Sequence, residues 1–147
     1  LKKNGFFDLL NEFKDTGKPI IGVCVGAQLM CSYSEEGNSN GLNWFDSKVC
    51  KFKFSNQTDL RVPHMGWNSI NILRDHKIIQ GIDVKNRFYF LHSYYIDSET
   101  KNNVLAETFY GNPFNSIIEK ENIIGIQFHP EKSHKYGIKL FENIIEI

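Results

Sequence analysis

Apolar residues change their spacing twice along this chain, which divides it into a helical start, a long run of strands and a helical end. Phe6, Leu9, Leu10 and Phe13 recur at helical spacing, and Asp15-Thr16-Gly17 with Pro19 just beyond marks a C-terminal stop. A short apolar strand is predicted from Pro19 to Cys24. A helix is predicted from Val25 to Tyr33, ended by the polar stretch "EEGNSNG". Period-two patterns then take over: "VCKFKF" from Val49, "WNSINIL" from Trp67 and the aromatic "RFYFLHSYYI" from Arg87. "VLAETFY", "NSIIEK" and "NIIGIQFHP" follow at short spacing, with tight turns at "YGN" (110–112) and "EKEN" (119–122). Ile138, Leu140, Phe141, Ile144 and Ile145 return to helical spacing. The order helix, strand, helix, many strands, helix predicts an α/β layer with an inserted or appended antiparallel sheet, in one domain over residues 1–147.

Composition narrows the class without naming a chemistry. The chain has 147 residues, 41% hydrophobic and 14% aromatic, as a globular domain with a core requires. Its 17 basic and 17 acidic residues cancel, and the basic ones are scattered, so no nucleic-acid footprint is present. No apolar run reaches the roughly 20 residues of a membrane helix, and "LKKNGFFDLL" has no signal-peptide pattern. Cys24, Cys31 and Cys50 are odd in number and not closely paired, which points to a reducing, cytoplasmic setting. They also lack the short spacing of a structural zinc site, so neither a metal nor another cofactor is expected. Asn56 in "NQT" matches a glycosylation sequon, a triplet common by chance. The first residue is Leu and a helix pattern begins at once, which suggests a fragment.

The stretch with most chemical content is "IIGVCVGAQLM". Cys24 falls where the strand signal ends and the helix signal begins, with Gly22 and Gly26 on either side. A sharp strand-to-helix turn needs small neighbours and favours positive φ, the geometry that presents a nucleophile. A helix N-terminus beside the sulfur is expected to lower its pKa, and the free N–H groups there suit an oxyanion. The alternative is a small buried core cysteine. A base decides between them. Of five histidines, His76 and His134 read as solvated loop residues, and His64 and His92 as packed among aromatic residues. His129 ends the strand "IIGIQFHP", with Glu131 two residues on, which suits a base and the acid that orients it. With Cys24 it makes a candidate Cys-His-Glu triad.

"GVCVGAQLM" followed later by "GIQFHPEKS" resembles the class I, triad-type glutamine amidotransferases. "EEGNSNGL", "VPHMGWN", "YFLHSYY" and "QFHPEKS", in this order, resemble the glutaminase subunit of imidazole glycerol phosphate synthase, over nearly the whole chain. The resemblance implies a flavodoxin-like three-layer α/β domain with additional antiparallel strands. It implies that Cys24 attacks the carboxamide of L-glutamine and forms a glutamyl thioester, with His129 moving the protons and Glu131 behind it. Gln28 would hold the amino-acid end of the substrate, with Gly26 beside it and Ser93 and Tyr94 contributing largely backbone groups. For Gln28 the alternative is a solvated helix position, and for Ser93 and Tyr94 an ordinary strand edge.

The resemblance further implies that ammonia passes to a (β/α)8 synthase/cyclase partner in a heterodimer serving histidine biosynthesis. Met65, Trp67 and Lys132 are the interface candidates, against core packing for the first two and a solvated charge for the third. Family members carry an additional N-terminal stretch that supplies the first strands of the sheet and a loop of the oxyanion hole. Its absence implies an N-terminally truncated domain with an uncovered apolar face. Two other functions stay open on the sequence: ammonia supply to a sugar amidotransferase of surface polysaccharide assembly, and a non-catalytic interaction domain.

Overall fold

The computed structural model describes residues 5–54 and 59–147; Asn56 lies outside them. In chain order the elements are α1 (Phe6–Asp15), β1 (Ile20–Val23), α2 (Val25–Leu29), β2 (Cys31–Ser34), β3 (Ser39–Asn40), β4 (Phe45–Lys51), β5 (His64–Ser69), β6 (Asn71–Ile72), β7 (Arg87–His92), β8 (Tyr94–Ser98), β9 (Val104–Tyr110), β10 (Asn112–Lys120), β11 (Ile123–Ile126) and α3 (His134–Ile145). A nine-stranded sheet runs β1-β11-β10-β8-β4-β2-β3, with β9 pairing β10 and β6. β5 and β7 form a separate two-stranded sheet. Among the described residues only β1–β11 and β2–β4 pair in parallel; the other ladders are antiparallel.

Both faces of the main sheet are covered, so its middle strands are apolar on successive residues. Ile124 and Ile126 belong to a cluster with Phe88, Phe90, Phe114 and Leu140, under the β5–β7 sheet and α3. Ile123, on the other face, joins Ala27, Met30, Phe45 and Val49, with Phe7 and Leu10 of α1 packed against them. The result is a three-layer, mixed α/β architecture, as expected.

Three local expectations are corrected. The helix predicted to Tyr33 stops at Leu29, and residues 31–34 form β2 instead. The segment 42–45 takes the helix-end carbonyls: Leu42 N–H donates to Leu29 O at 2.7 Å and Trp44 N–H to Met30 O at 2.9 Å. Gly41 permits this approach, because a Cβ there would lie 2.2 Å from Cys31 O. Next, regular pairing of β11 ends at Ile126 rather than at His129. Gln127 N–H still bonds Ser116 O, but His129 N–H bonds Tyr89 O of β7. The chain thus crosses from one sheet to the other within three residues. Finally, only part of the terminal helical pattern faces the core: Leu140 is buried and Ile144 half-buried, but Ile138 and Ile145 are 61% and 84% exposed.

Candidate active site

The cysteine turn is built by close packing. β1 lies in register with β11, Val23 opposite Ile126, and Cys24 N–H donates to Ile126 O at 2.7 Å. The chain then reverses into α2 with Cys24 at φ 50° and ψ −108°, a backbone state that L-residues avoid unless their surroundings hold them. Gly22 is indispensable to the turn: a Cβ there would stand 2.6 Å from Gly26 C and 2.7 Å from Ala27 N. Gly26 is not required sterically, contrary to expectation, since a Cβ on it would meet nothing within 4 Å. It opens on free space beside Val25, which is 60% exposed.

The thiol is half-buried, and burial pushes its pKa above the ordinary value, overriding the Val25 N–H that acts to lower it. The nearby Glu131 charge raises it further. The expected lowering by the helix end is therefore corrected. α2 has only five residues, and desolvation wins. A thiol held in its neutral form needs a base to become nucleophilic.

The candidate base, His129, is held against the same strand, β7, that the sulfur touches. Cys24 Sγ lies 3.8 Å from Leu91 O, and His129 N–H bonds Tyr89 O at 2.8 Å, so alternate residues of one strand hold both groups. His129 Nδ1 and Glu131 Oε1 are 2.6 Å apart. A carboxylate oxygen accepts, so Nδ1 carries the proton and Nε2 of a neutral ring keeps its lone pair. That Nε2 is buried and has no hydrogen-bond partner among the described residues. The backbone beneath the ring is fixed by Ser133, the last residue of the motif "QFHPEKS", to which the sequence assigned no role. Its hydroxyl donates to His129 O at 2.6 Å and accepts from Tyr89 N–H at 3.0 Å. Gly137 lets α3 pack on this turn, since a Cβ there would be 1.8 Å from Pro130 O.

A cavity of about 350 Å³ opens at the sulfur, lined by Cys24, Gln28, Glu36, Leu91, His92, Ser93 and Tyr94 among others. Gln28 is buried rather than solvated. Its Nε2 donates to Tyr94 O at 2.9 Å and to Gln127 Oε1 at 3.2 Å, which uses both of its protons. What Gln28 can still offer a ligand is its carbonyl oxygen. Gln127 is fully buried, and its Nε2 reaches Cys24 Sγ at 3.9 Å. Glu36 and Gln127 were both missed. They sit inside the motifs "EEGNSNGL" and "GIQFHPEKS", but nothing in the sequence shows that those segments meet at the cysteine.

Met65, Trp67 and Lys132 do not line the cavity, although the Lys132 charge is near enough to act on Cys24. Met65 is 62% and Trp67 41% exposed, so core packing does not account for them. The Trp67 ring stacks on His134 at 5.2 Å, and Lys132 Nζ lies 5.9 Å from the centre of the Tyr89 ring. His134, expected as a loop residue, begins α3. His64 and His92 are buried among aromatic rings, as expected.

Residues 2–147 match the family "Glutamine amidotransferase class-I". The chain belongs to the class-I glutamine amidotransferase family. It is 46% identical over 147 residues to imidazole glycerol phosphate synthase subunit HisH 2 of Methanococcus maripaludis, covering 99% of this chain and 72% of that protein. It is 42% identical to subunit HisH 2 of Pseudomonas aeruginosa (100% and 72% covered) and 43% identical to subunit HisH of Leptospira interrogans (100% and 73%). Among solved structures, a glutamine amidotransferase of Thermotoga maritima superposes with a TM-score of 0.58 at 18% identity, covering 99% of this chain and 57% of that one. PurLQS from Thermotoga maritima gives 0.66 at 15% identity, covering 93% and 65%. These two likenesses establish the amidotransferase fold, of which this chain spans a part.

Proposed function

We propose that this amidotransferase is the glutaminase subunit of an imidazole glycerol phosphate synthase, hydrolysing L-glutamine to glutamate and ammonia. The observation that carries the reading is Cys24, strained at its turn and held, like His129, against β7, together with a buried His129 Nε2 without a partner among the described residues, in a chain 46% identical to a HisH subunit. Cys24 Sγ attacks the carboxamide carbon as its proton passes to His129 Nε2. The carbon–nitrogen bond breaks as Nε2–H protonates the nitrogen, which leaves as ammonia, and a γ-glutamyl thioester remains. Water then gives a proton to Nε2 and attacks the thioester. The thiolate leaves, regains that proton, and glutamate is released. Glu131 holds the imidazole in the Nδ1–H tautomer throughout. Val25 N–H, already directed at the sulfur, is an oxyanion donor.

In the cavity, Glu36 and the free Oε1 of Gln28 are acceptors suited to the α-ammonium of glutamine, with Ser93 and Tyr94 completing the walls. Gly26 keeps the turn beside the substrate free of a side chain. Ammonia goes to a (β/α)8 synthase/cyclase subunit docked on the Met65–Trp67–Lys132 surface. No helix among the described residues is long and apolar enough to cross a membrane. The three cysteines are free thiols, in keeping with a cytoplasmic protein. We assign the chain to one amidotransferase domain, since a single nine-stranded sheet connects both cores.

The test is a glutamine-analogue electrophile with mass readout in the full-length chain assembled with its synthase. A single adduct on Cys24 is expected. Absence of the adduct would leave an interaction domain as the reading, and co-purification with a sugar amidotransferase would reassign the ammonia acceptor.

A further inference from the structure

We propose that His64 and His92 are positioning residues for glutamine turnover, joined in a hydrogen-bond chain that runs in one direction from Asn68 on β5 to Tyr94 O, where it meets Gln28 and, through Gln127, the Cys24 sulfur; this rests on the glutaminase reading above. The direction follows from chemistry at each link. His92 Nδ1 lies 2.7 Å from Tyr94 O, and a carbonyl only accepts, so Nδ1 carries the proton. Nε2 of the neutral ring is then an acceptor, and the group facing it at 3.1 Å is His64 Nδ1, which must donate. His64 Nε2 is left to accept from Asn68 Nδ2 at 3.4 Å. Asn68 cannot turn its amide around, because Ser69 N–H donates to its Oδ1 at 2.9 Å and its Nδ2 donates to Phe109 O at 3.0 Å.

The far end of the chain is the cavity. Tyr94 O accepts from His92 and from Gln28 Nε2; Gln28 donates on to Gln127 Oε1, and Gln127 Nε2 to Cys24 Sγ. Reversing either imidazole would leave two donors or two lone pairs facing each other in the core.

Packing alone does not explain two imidazoles here. His64 is stacked between Phe90 and Tyr110, at ring separations of 4.8 and 4.0 Å. His92 touches Phe114 and Phe52, at 5.2 and 5.4 Å. A phenyl ring would fill the same space without the cost of desolvating polar atoms. What the imidazoles add is directed hydrogen bonding onto a carbonyl that lines the site. Burial holds the His64 pKa near 4 and the His92 pKa near 3, so both rings stay neutral and the chain keeps one direction at neutral pH.

The experiment uses the full-length protein in complex with its synthase. Long-range ¹⁵N–¹H spectra of labelled histidine are expected to show both residues as neutral Nδ1–H tautomers; an Nε2–H tautomer at His92 overturns the proposal. His92→Asn places an amide nitrogen where Nδ1 was, and His92→Gln places it near Nε2. The Asn variant is expected to keep glutamine kcat/KM within about 5-fold of the parent, and the Gln variant to fall at least about 30-fold, chiefly through KM. Labelling of Cys24 by the glutamine analogue falls in parallel, while labelling by iodoacetamide, which needs no substrate site, does not. Equal kcat/KM in the two variants, with Cys24 labelled in the parent, overturns the chain alone. An unlabelled parent overturns the glutaminase reading beneath it.

Discussion

Phe88, Phe90, Phe114 and Phe128 are at most 2% exposed, whereas Phe6, Leu9 and Phe13 stand 52%, 57% and 44% exposed. The first group lies on the face of the main sheet covered by β5–β7 and α3; the second lines α1 on the opposite face. α1 has no fully buried residue, although its sequence is as amphipathic as that of α3. Among the described residues β1, which leads into Cys24, pairs only with β11, and it is half-buried along most of its length. The two halves of the site therefore rest on unequal supports. His129 is anchored by Ser133, Tyr89 and the packed α3, and Cys24 by one neighbouring strand and a strained turn. A covered apolar face lowers the free energy by roughly 1.5–3 kcal/mol for each large side chain fully removed from water, a gain that Phe6, Leu9 and Phe13 largely forgo here.

The comparison can be broken or sharpened in several ways. Cys24→Ala should have the largest effect, lowering glutamine-dependent turnover by about 10⁴-fold or more while the synthase still uses ammonium. Steady-state assays with each nitrogen source check this, and a parallel fall in both would break the division into two sites. Acid should then act on the aromatic side. His64 and His92 have folded pKa values of about 4 and 3, below the unfolded value near 6.5. Between these values the unfolded chain binds the extra protons, so stability falls as pH falls from 6.5 toward 4. Each histidine contributes a slope of about 1.4 kcal/mol per pH unit. Urea midpoints across that range measure it, and a flat profile would show that the two rings are not buried neutral.

Phe114→Ala is expected to cost about 3–5 kcal/mol by opening a cavity in the packed cluster. Phe13→Ser on α1 should cost under about 0.5 kcal/mol. Equal losses in denaturant unfolding would mean that the two faces are not built differently. Within the cysteine turn, Gly22→Ala should destabilise by about 3 kcal/mol, because its Cβ meets backbone rather than a side chain that can move. Gly26→Ala, facing open space, should change the thermal midpoint by a few degrees at most. Trp67→Ala is expected to weaken synthase binding about tenfold without altering the melting curve of the free glutaminase chain, which calorimetric titration and thermal scans would check.

Much of the site was legible as local chemistry. A cysteine between two glycines at a strand-to-helix change, and a histidine with an acid two residues on, are short-range patterns, and the turn and the His129–Glu131 pair were read from them. Gln127, Glu36 and Ser133 were missed because each matters through a partner distant in sequence. Gln127 meets Gln28 across 99 positions, and Ser133 meets Tyr89 across 44. The direction of the Cys24 pKa was misjudged for the same reason, since the helix end is local and burial is not. The α2–β2 boundary slipped because the 42–45 segment competes for the carbonyls that would have continued the helix.

Hydrophobic spacing and turn chemistry by themselves determined the reversal at Cys24, the kinds of group available for amide cleavage and most of the strand-forming segments, though not β2 or β3. The pairing of β1 with β11, the crossing of His129 onto β7 and the direction of the histidine chain were decided only in the folded molecule. Period and propensity act over a few residues. Desolvation, hydrogen-bond direction and the placing of thiol and imidazole against one strand depend on which distant segments exclude water from one another.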